Sequence, residues 1–153
     1  MKANTRLFGE IEITEEKLIR FENGIIGFPD LRSFALIFDE EKGVENSIMW
    51  LQSMDEPAFA MPVVKPTDLL PEYSPSVKEE LLLPLGDLTP DSTYLLVTVT
   101  VPKEIEQMSV NLKAPFVINY QTGKGSQIIV DDELEVKFKI YHLLKEAREK
   151  AGA

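Results

Sequence analysis

From Tyr94 to Val101 the chain reads Tyr-Leu-Leu-Val-Thr-Val-Thr-Val, almost wholly β-branched or bulky, a composition suited to a pleated surface. Val97, Val99 and Val101 fall on one face at period two, with Thr98 and Thr100 opposite. After a polar connection over 102–107, Val110, Leu112, Ala114, Phe116, Ile118 and Tyr120 alternate with Asn111, Lys113, Pro115 and Asn119. A helix would spread that set around its circumference, whereas a strand gathers it on one side. The two runs predict a central antiparallel hairpin. Pro115 lacks an N–H for a ladder and marks an edge or a bulge.

The same alternation recurs along the chain. Short strands are expected over 5–8, 11–13 and 18–21, followed by Asn23-Gly24, the dipeptide of tight hairpins. Asp30 is placed to cap a single turn through Phe34. Strands follow at 35–38, 48–53 and 59–64, with an acidic loop from Asp39 to Glu45 and a polar turn from Met54 to Pro57. Pro62 again argues for an edge or bulge. Five prolines punctuate 65–91, where Ser76 and Glu79 have the spacing of a capping box for a short helix ending near Leu82. Its many leucines need burial, so the stretch is an excursion over the sheet.

Thr122-Gly123-Lys124-Gly125 predicts a turn into a strand over 127–130, and the alternation from Leu134 to Ile140 predicts another. Residues 142–150 are compatible with a short helix and the last residues with a frayed end. No repeat or low-complexity tract occurs. Eight or nine short strands with tight connections predict one mainly β domain over 1–153: a small antiparallel β-barrel or sandwich with one short helical excursion. The connections are too short for parallel βαβ units.

Composition narrows the chemistry. With 153 residues, 44% apolar and 27% charged, the chain can bury a real core. It contains no cysteine, which removes disulfides, thiolate metal sites and cysteine nucleophiles, and fits a reducing compartment. No basic-then-apolar leader is evident, and no apolar run reaches the roughly 18 residues of a membrane span, so a cytoplasmic location is expected. Net charge is −10. Residues 1–136 hold 11 Lys and Arg against 24 Asp and Glu, whereas 137–153 hold 5 against 2. Such a surface repels a polyanion, so direct nucleic-acid binding is not expected. A solvated acidic face is the plain reading; a docking surface for a basic protein is the sharper one.

Candidate catalytic groups are sparse. His142 is the single histidine and has no orienting partner by spacing, and Ser53 and Ser126 have no nearby base. Gly123-Lys124-Gly125-Ser126 imitates the end of a phosphate loop but lacks the upstream glycine and the following helix, so it reads as a hairpin turn. Asp131, Asp132, Glu133 and Glu135 offer oxygen ligands without the loop of a calcium hand, and read as a solvated turn. No enzyme activity, metal or cofactor is expected. Trp50, Phe59 and Met61 flank the 53–57 turn, either as core or as an anchor surface rimmed by Asp55 and Glu56.

The run Arg20-Phe21-Glu22-Asn23-Gly24-Ile25-Ile26-Gly27-Phe28, then Leu51-Gln52-Ser53 with Pro57 and Phe59-Ala60, resembles the flagellar assembly factor FliW family. So do 96–102 and Val110-Asn111-Leu112-Lys113-Ala114-Pro115-Phe116-Val117-Ile118-Asn119. The order and spacing match over nearly the whole chain. The resemblance implies a bacterial cytoplasmic, barrel-like protein that binds flagellin before export. When free of flagellin, such a protein binds CsrA, the RNA-binding translational repressor, and relieves repression of flagellin synthesis. The expected contact residues are Gln52, Asp55, Glu56 and Phe59. The rival is a small-molecule-binding β-barrel, which a pocket of several hundred cubic ångströms would favour.

Overall fold

A computed structural model describes residues 1–38 and 48–152; the acidic stretch Asp39 to Glu45 lies outside the described residues. Eleven strands are found among them: β1 (Lys2–Thr5), β2 (Gly9–Glu12), β3 (Leu18–Arg20), β4 (Ser33–Phe38), β5 (Met49–Ser53), β6 (Ala60–Val64), β7 (Thr93–Thr100), β8 (Ser109–Val110), β9 (Phe116–Asn119), β10 (Lys124–Gln127) and β11 (Phe138–Lys139). Helices are α1 (Pro66–Leu69), α2 (Glu79–Leu82) and α3 (Tyr141–Gly152). None is long and apolar enough to cross a membrane.

Seven strands close on themselves in the order β3-β4-β5-β6-β7-β9-β10, and β8 and β11 extend the sheet beyond β7. Six of the seven pairings are antiparallel. The seventh joins β10 to β3 in parallel, with Lys124 opposite Arg20. An odd number of strands cannot alternate direction all the way around a closed ring, so one parallel seam is forced. The architecture is the expected mainly β barrel, corrected at that seam. The central hairpin forms as read, Leu96 opposite Phe116 and Val99 opposite Val110, but Asn111 to Pro115 interrupt it between β8 and β9.

Period-two positions fill the barrel. Ile19, Phe34, Met49, Leu51, Val63, Leu96, Phe116 and Ile118 form one buried cluster with Phe21 and Ile25. The Phe21 ring meets Phe34 edge-on at 5.5 Å and Phe116 at 5.7 Å between ring centres. The outer wall is covered as well. Val64, Val97, Val99, Val110 and Ile140 form a second cluster, with Leu144 of α3 against it. A third, Leu85, Val117, Ile128 and Val130, lies with Val77 and Leu82 of the proline-rich excursion. The β1–β2 hairpin places Ile11 and Ile13 against Ala3, Ala35 and Met54.

Several local expectations change. Residues 21–32 form a long connection between β3 and β4, not a two-residue hairpin, because the Asn-Gly turn feeds a small second turn bridging Ile25 and Phe28. Asp30 opens no helical turn. Ser76 caps nothing. Its N–H donates to the Asp132 carboxylate, and α2 starts after Lys78 without a side-chain cap. The strand expected over 127–130 ends at Gln127, and that over 134–140 shortens to β11. Ile128 and Val130 still reach across to the Pro115 and Lys113 carbonyls. Val101 is exposed past the end of β7. Pro62 lies where β6 pairs with β5, ahead of Val63 and Val64, which alone face β7, so its missing N–H breaks no second ladder.

Candidate functional site

The turn joining β5 to β6 is built by its own side chains. Ser53 is fully buried, and its Oγ accepts from the N–H groups of Asp55 and Glu56 at 3.2 and 2.9 Å. Such local side-chain bonds are why serine favours turns. The Phe59 N–H donates to the Glu56 carbonyl and the Ser53 N–H to the Phe59 carbonyl, closing the loop.

Gln52, expected at the contact surface, is 0% exposed. Its Nε2 donates to the Ser53, Pro57 and Phe59 carbonyls at 2.8, 3.0 and 3.1 Å, and its buried Oε1 has no partner. Gln52 therefore sets the shape of the turn from beneath.

Asp55 and Glu56 are exposed at the tip. Asp55 Oδ2 also accepts from the Arg32 and Ser33 N–H groups, both at 2.7 Å, tying the turn to the start of β4. The Arg6 N–H reaches the Pro57 carbonyl and Arg6 Nε the Ala58 carbonyl, which fastens the β1–β2 connection to the same turn. Phe59 is half-buried against the barrel core, its ring 4.6 Å from that of Phe28. Phe28 and Ile26 are 45% and 49% exposed. No contact role was expected of either, although both lie in the run Arg20 to Phe28 that carries the family resemblance. Their signal was the pair of flanking glycines, Gly24 and Gly27, both at positive φ. Trp50 and Met61 are half-buried, Trp50 edge-on to Phe8 at 6.3 Å. The turn thus gathers a rigid frame, an exposed Glu56, an exposed Asp55 whose carboxylate holds the β4 backbone, and an apolar neighbour.

Elsewhere the residues weighed for chemistry are dispersed. His142 is exposed on α3 with no hydrogen bond or ion pair among the described residues. Of Gly123-Lys124-Gly125-Ser126, read as a hairpin turn, only Gly123 lies in the β9–β10 turn; Lys124, Gly125 and Ser126 begin strand β10. Asp131 lies 3.9 Å from the Lys78 ammonium, both exposed. Among the described residues, no three acidic or histidine side chains converge into a metal-binding group.

Two clefts reach the size of a small-ligand site. One, about 350 Å³, opens between the 22–26 segment, α2 and β10. The other, about 310 Å³, lies at the barrel mouth, walled by Leu18, Ile19, Leu36, Tyr94 and Tyr120. Both stand at the low end of the usual range, roughly 300–1,000 Å³, and outside an interior closed by Phe21, Phe34 and Phe116.

Residues 2–140 match the family model described as FliW protein. A flagellar assembly factor FliW from Lachnospira eligens is 46% identical over 147 residues, covering 95% of this chain and 97% of that protein. One from Thermotoga neapolitana is 39% identical over 152 residues, covering 99% and 97%. A crystal structure of the flagellar assembly factor FliW superposes with a TM-score of 0.82 at 30% identity, covering 92% of this chain and 97% of that one.

Proposed function

This chain belongs to the FliW family, and from that premise we propose that it serves flagellum assembly by binding other proteins in the cytoplasm, without catalysis. It holds flagellin before export. When flagellin leaves, it binds CsrA and lifts repression of flagellin synthesis. The observation that carries this reading is the 52–59 turn. Rigid backbone holds Asp55 and Glu56 in water on a chain of net charge −10, beside half-buried Phe59. CsrA must be basic where it grips RNA phosphates, so an acidic partner beside that surface disfavours RNA by charge as well as by bulk.

A pull-down from a flagellated bacterium, with and without exportable flagellin, tests the reading. Flagellin should be recovered while it is retained in the cell, and CsrA once it is exported; recovery of neither defeats the assignment.

The mouth cleft walled by Tyr94 and Tyr120 favours a second reading, a site for a small apolar ligand. Titration with an apolar fluorescent dye separates the two. Saturable binding abolished by Tyr94→Ala, with no capture of either protein, would support the ligand site instead.

A further inference from the structure

Between Phe21 and Leu31 the chain forms an ordered loop whose Ile25 joins the core while Ile26 and Phe28 stay exposed. Ile25 and Phe28 exchange backbone hydrogen bonds, at 3.2 and 2.9 Å, around a two-residue tip of Ile26 and Gly27. Ile25 points into the barrel core at 4% exposure, whereas Ile26 and Phe28 stand in water. The tip is fixed from three sides. The Ile26 N–H donates to Gln127 Oε1 at 2.8 Å, the Leu31 N–H to the Phe28 carbonyl at 3.2 Å, and the Phe28 ring rests on Phe59. Gly24 has positive φ, and a side chain there would collide with the backbone of Pro29. A single exposed apolar residue is ordinary. Two large ones on one ordered tip, continuous with a second aromatic, Phe59, are the arrangement of a binding anchor.

The surroundings specify what would cover it. Asp30, Asp55 and Glu56 are exposed in this region, Asp55 bonded to the Arg32 and Ser33 N–H groups, against the exposed Arg6 and Arg32, so carboxylates outnumber guanidinium groups by three to two. A mate must bring an apolar recess ringed by lysine or arginine, as charge complementarity at an interface rim requires.

We infer that Ile26 and Phe28 form the apolar anchor of the docking surface whose acidic rim is Asp55 and Glu56, and that its occupant is a basic protein surface. The inference rests on the binding function proposed above, and CsrA is the basic partner named there. Phe59 backs the anchor and is not its point of contact.

Titration calorimetry with purified CsrA and flagellin tests this on the full chain. Phe28→Ala should weaken CsrA at least about thirtyfold, the loss expected of an interface hot spot. Ile26→Ser, which leaves the tip's backbone bonds in place, should weaken it about tenfold. Glu56→Lys should weaken it and flatten its salt dependence. Unfolding midpoints of all three should stay close to that of the parent, and Ile26→Ser guards against a fold defect in Phe28→Ala.

Unchanged CsrA affinity in both tip variants overturns the anchor while leaving the family function standing. Loss of flagellin binding alone overturns the basic partner. Sedimentation of the parent as a dimer that Phe28→Ala dissolves, with CsrA binding intact, makes the occupant a second copy. A parent that binds neither protein removes the function and the inference together.

Discussion

Gly125 on β10 lies directly against the ring of Phe21: a Cβ added to the glycine would sit 2.8 Å from Cε1 and 3.0 Å from Cζ. Phe21 is 1% exposed and wedged between Phe34 and Phe116, so it cannot swing away. Ile118 Cγ1, 3.2 Å from the same point, closes the other side. Gly125 also adjoins Lys124, where the parallel seam closes the barrel. Gly125→Ala should therefore destabilise the domain by about 1–3 kcal/mol, the range for overpacking a close-packed core, despite alanine's better backbone propensity. Urea unfolding measures it, and an unchanged midpoint would mean that the seam yields more readily than this packing implies.

Asn119 ties the excursion to the barrel. It is fully buried on β9, where alternation predicts a polar outward face. Its Nδ2 donates to the Leu85 and Asp87 carbonyls at 2.9 and 3.1 Å, and its Oδ1 accepts from the Gln121 N–H. The Leu85 carbonyl keeps a second donor in the Thr122 hydroxyl. In Asn119→Ala the loss falls on Asp87 and Gln121, both exposed residues whose freed groups can turn to water, at about 1 kcal/mol. Hydrogen exchange should rise over 83–88 before it rises in the barrel strands.

Tyr73 makes a comparable tie at the other end of the excursion, donating from its hydroxyl to the Leu112 carbonyl at 2.6 Å. Burial, and secondarily the charge of Asp132, push its pKa up from 10.0 to about 12. The folded state thus holds this proton more tightly than the unfolded chain does. The associated stability is whole below pH 10, and is lost as pH climbs through the folded value near 12. Tyr73→Phe should cost about 1 kcal/mol at pH 7, as a typical hydrogen bond does. It should also lose less further stability than the parent between pH 10 and pH 12, which paired thermal melts at the two values will show.

The fold was legible where one rule sufficed. Phe116 and Ile118 announce the barrel interior by period two and both pack in that core, whereas Phe34, expected in a turn ahead of its strand, lies on β4 in the same core. What stayed hidden depends on distant residues. Asn119 is buried because Leu85 and Asp87, more than thirty positions away, fold over it. The parallel seam follows from parity, which no single stretch of sequence displays. Ser76 does not cap because α2 starts two residues later, after Lys78, while its own N–H goes to Asp132. The candidate turn was found by its composition. Burial of Gln52 was not, since a glutamine between Leu51 and Ser53 reads as surface until three carbonyls converge on it.

Electrostatic steering gives the proposed CsrA encounter a salt signature. Residues 1–136 hold 24 acidic side chains against 11 basic ones, and exposed charges are largely screened beyond about 8 Å at physiological ionic strength. The association rate with CsrA should fall about tenfold or more from 20 mM to 150 mM salt, with the dissociation rate changing less. Stopped-flow mixing measures both. A flat association rate rejects steering while leaving the contact surface untouched.

Gln52 separates scaffold from contact. Its amide protons face carbonyl oxygens, which only accept, so Nε2 must point inward and Oε1 is left as the orphan. Two of those carbonyls have other donors: Arg6 N–H reaches Pro57 and Ser53 N–H reaches Phe59. Gln52→Met therefore strands chiefly the Ser53 carbonyl while removing the orphan oxygen, and the two nearly offset, leaving a loss of about 1 kcal/mol. Gln52→Glu aims a carboxylate at three carbonyls with no proton to give. It must open the turn or bind a proton, and should cost about 3 kcal/mol or more at pH 7, easing on acidification. If Gln52 acts only through the turn, Gln52→Met should hold CsrA affinity within about threefold of the parent, since Asp55 and Glu56 keep their places. A tenfold loss in a Gln52→Met protein with an unchanged melt would put the side chain at the interface itself, and the turn would then have to open on binding.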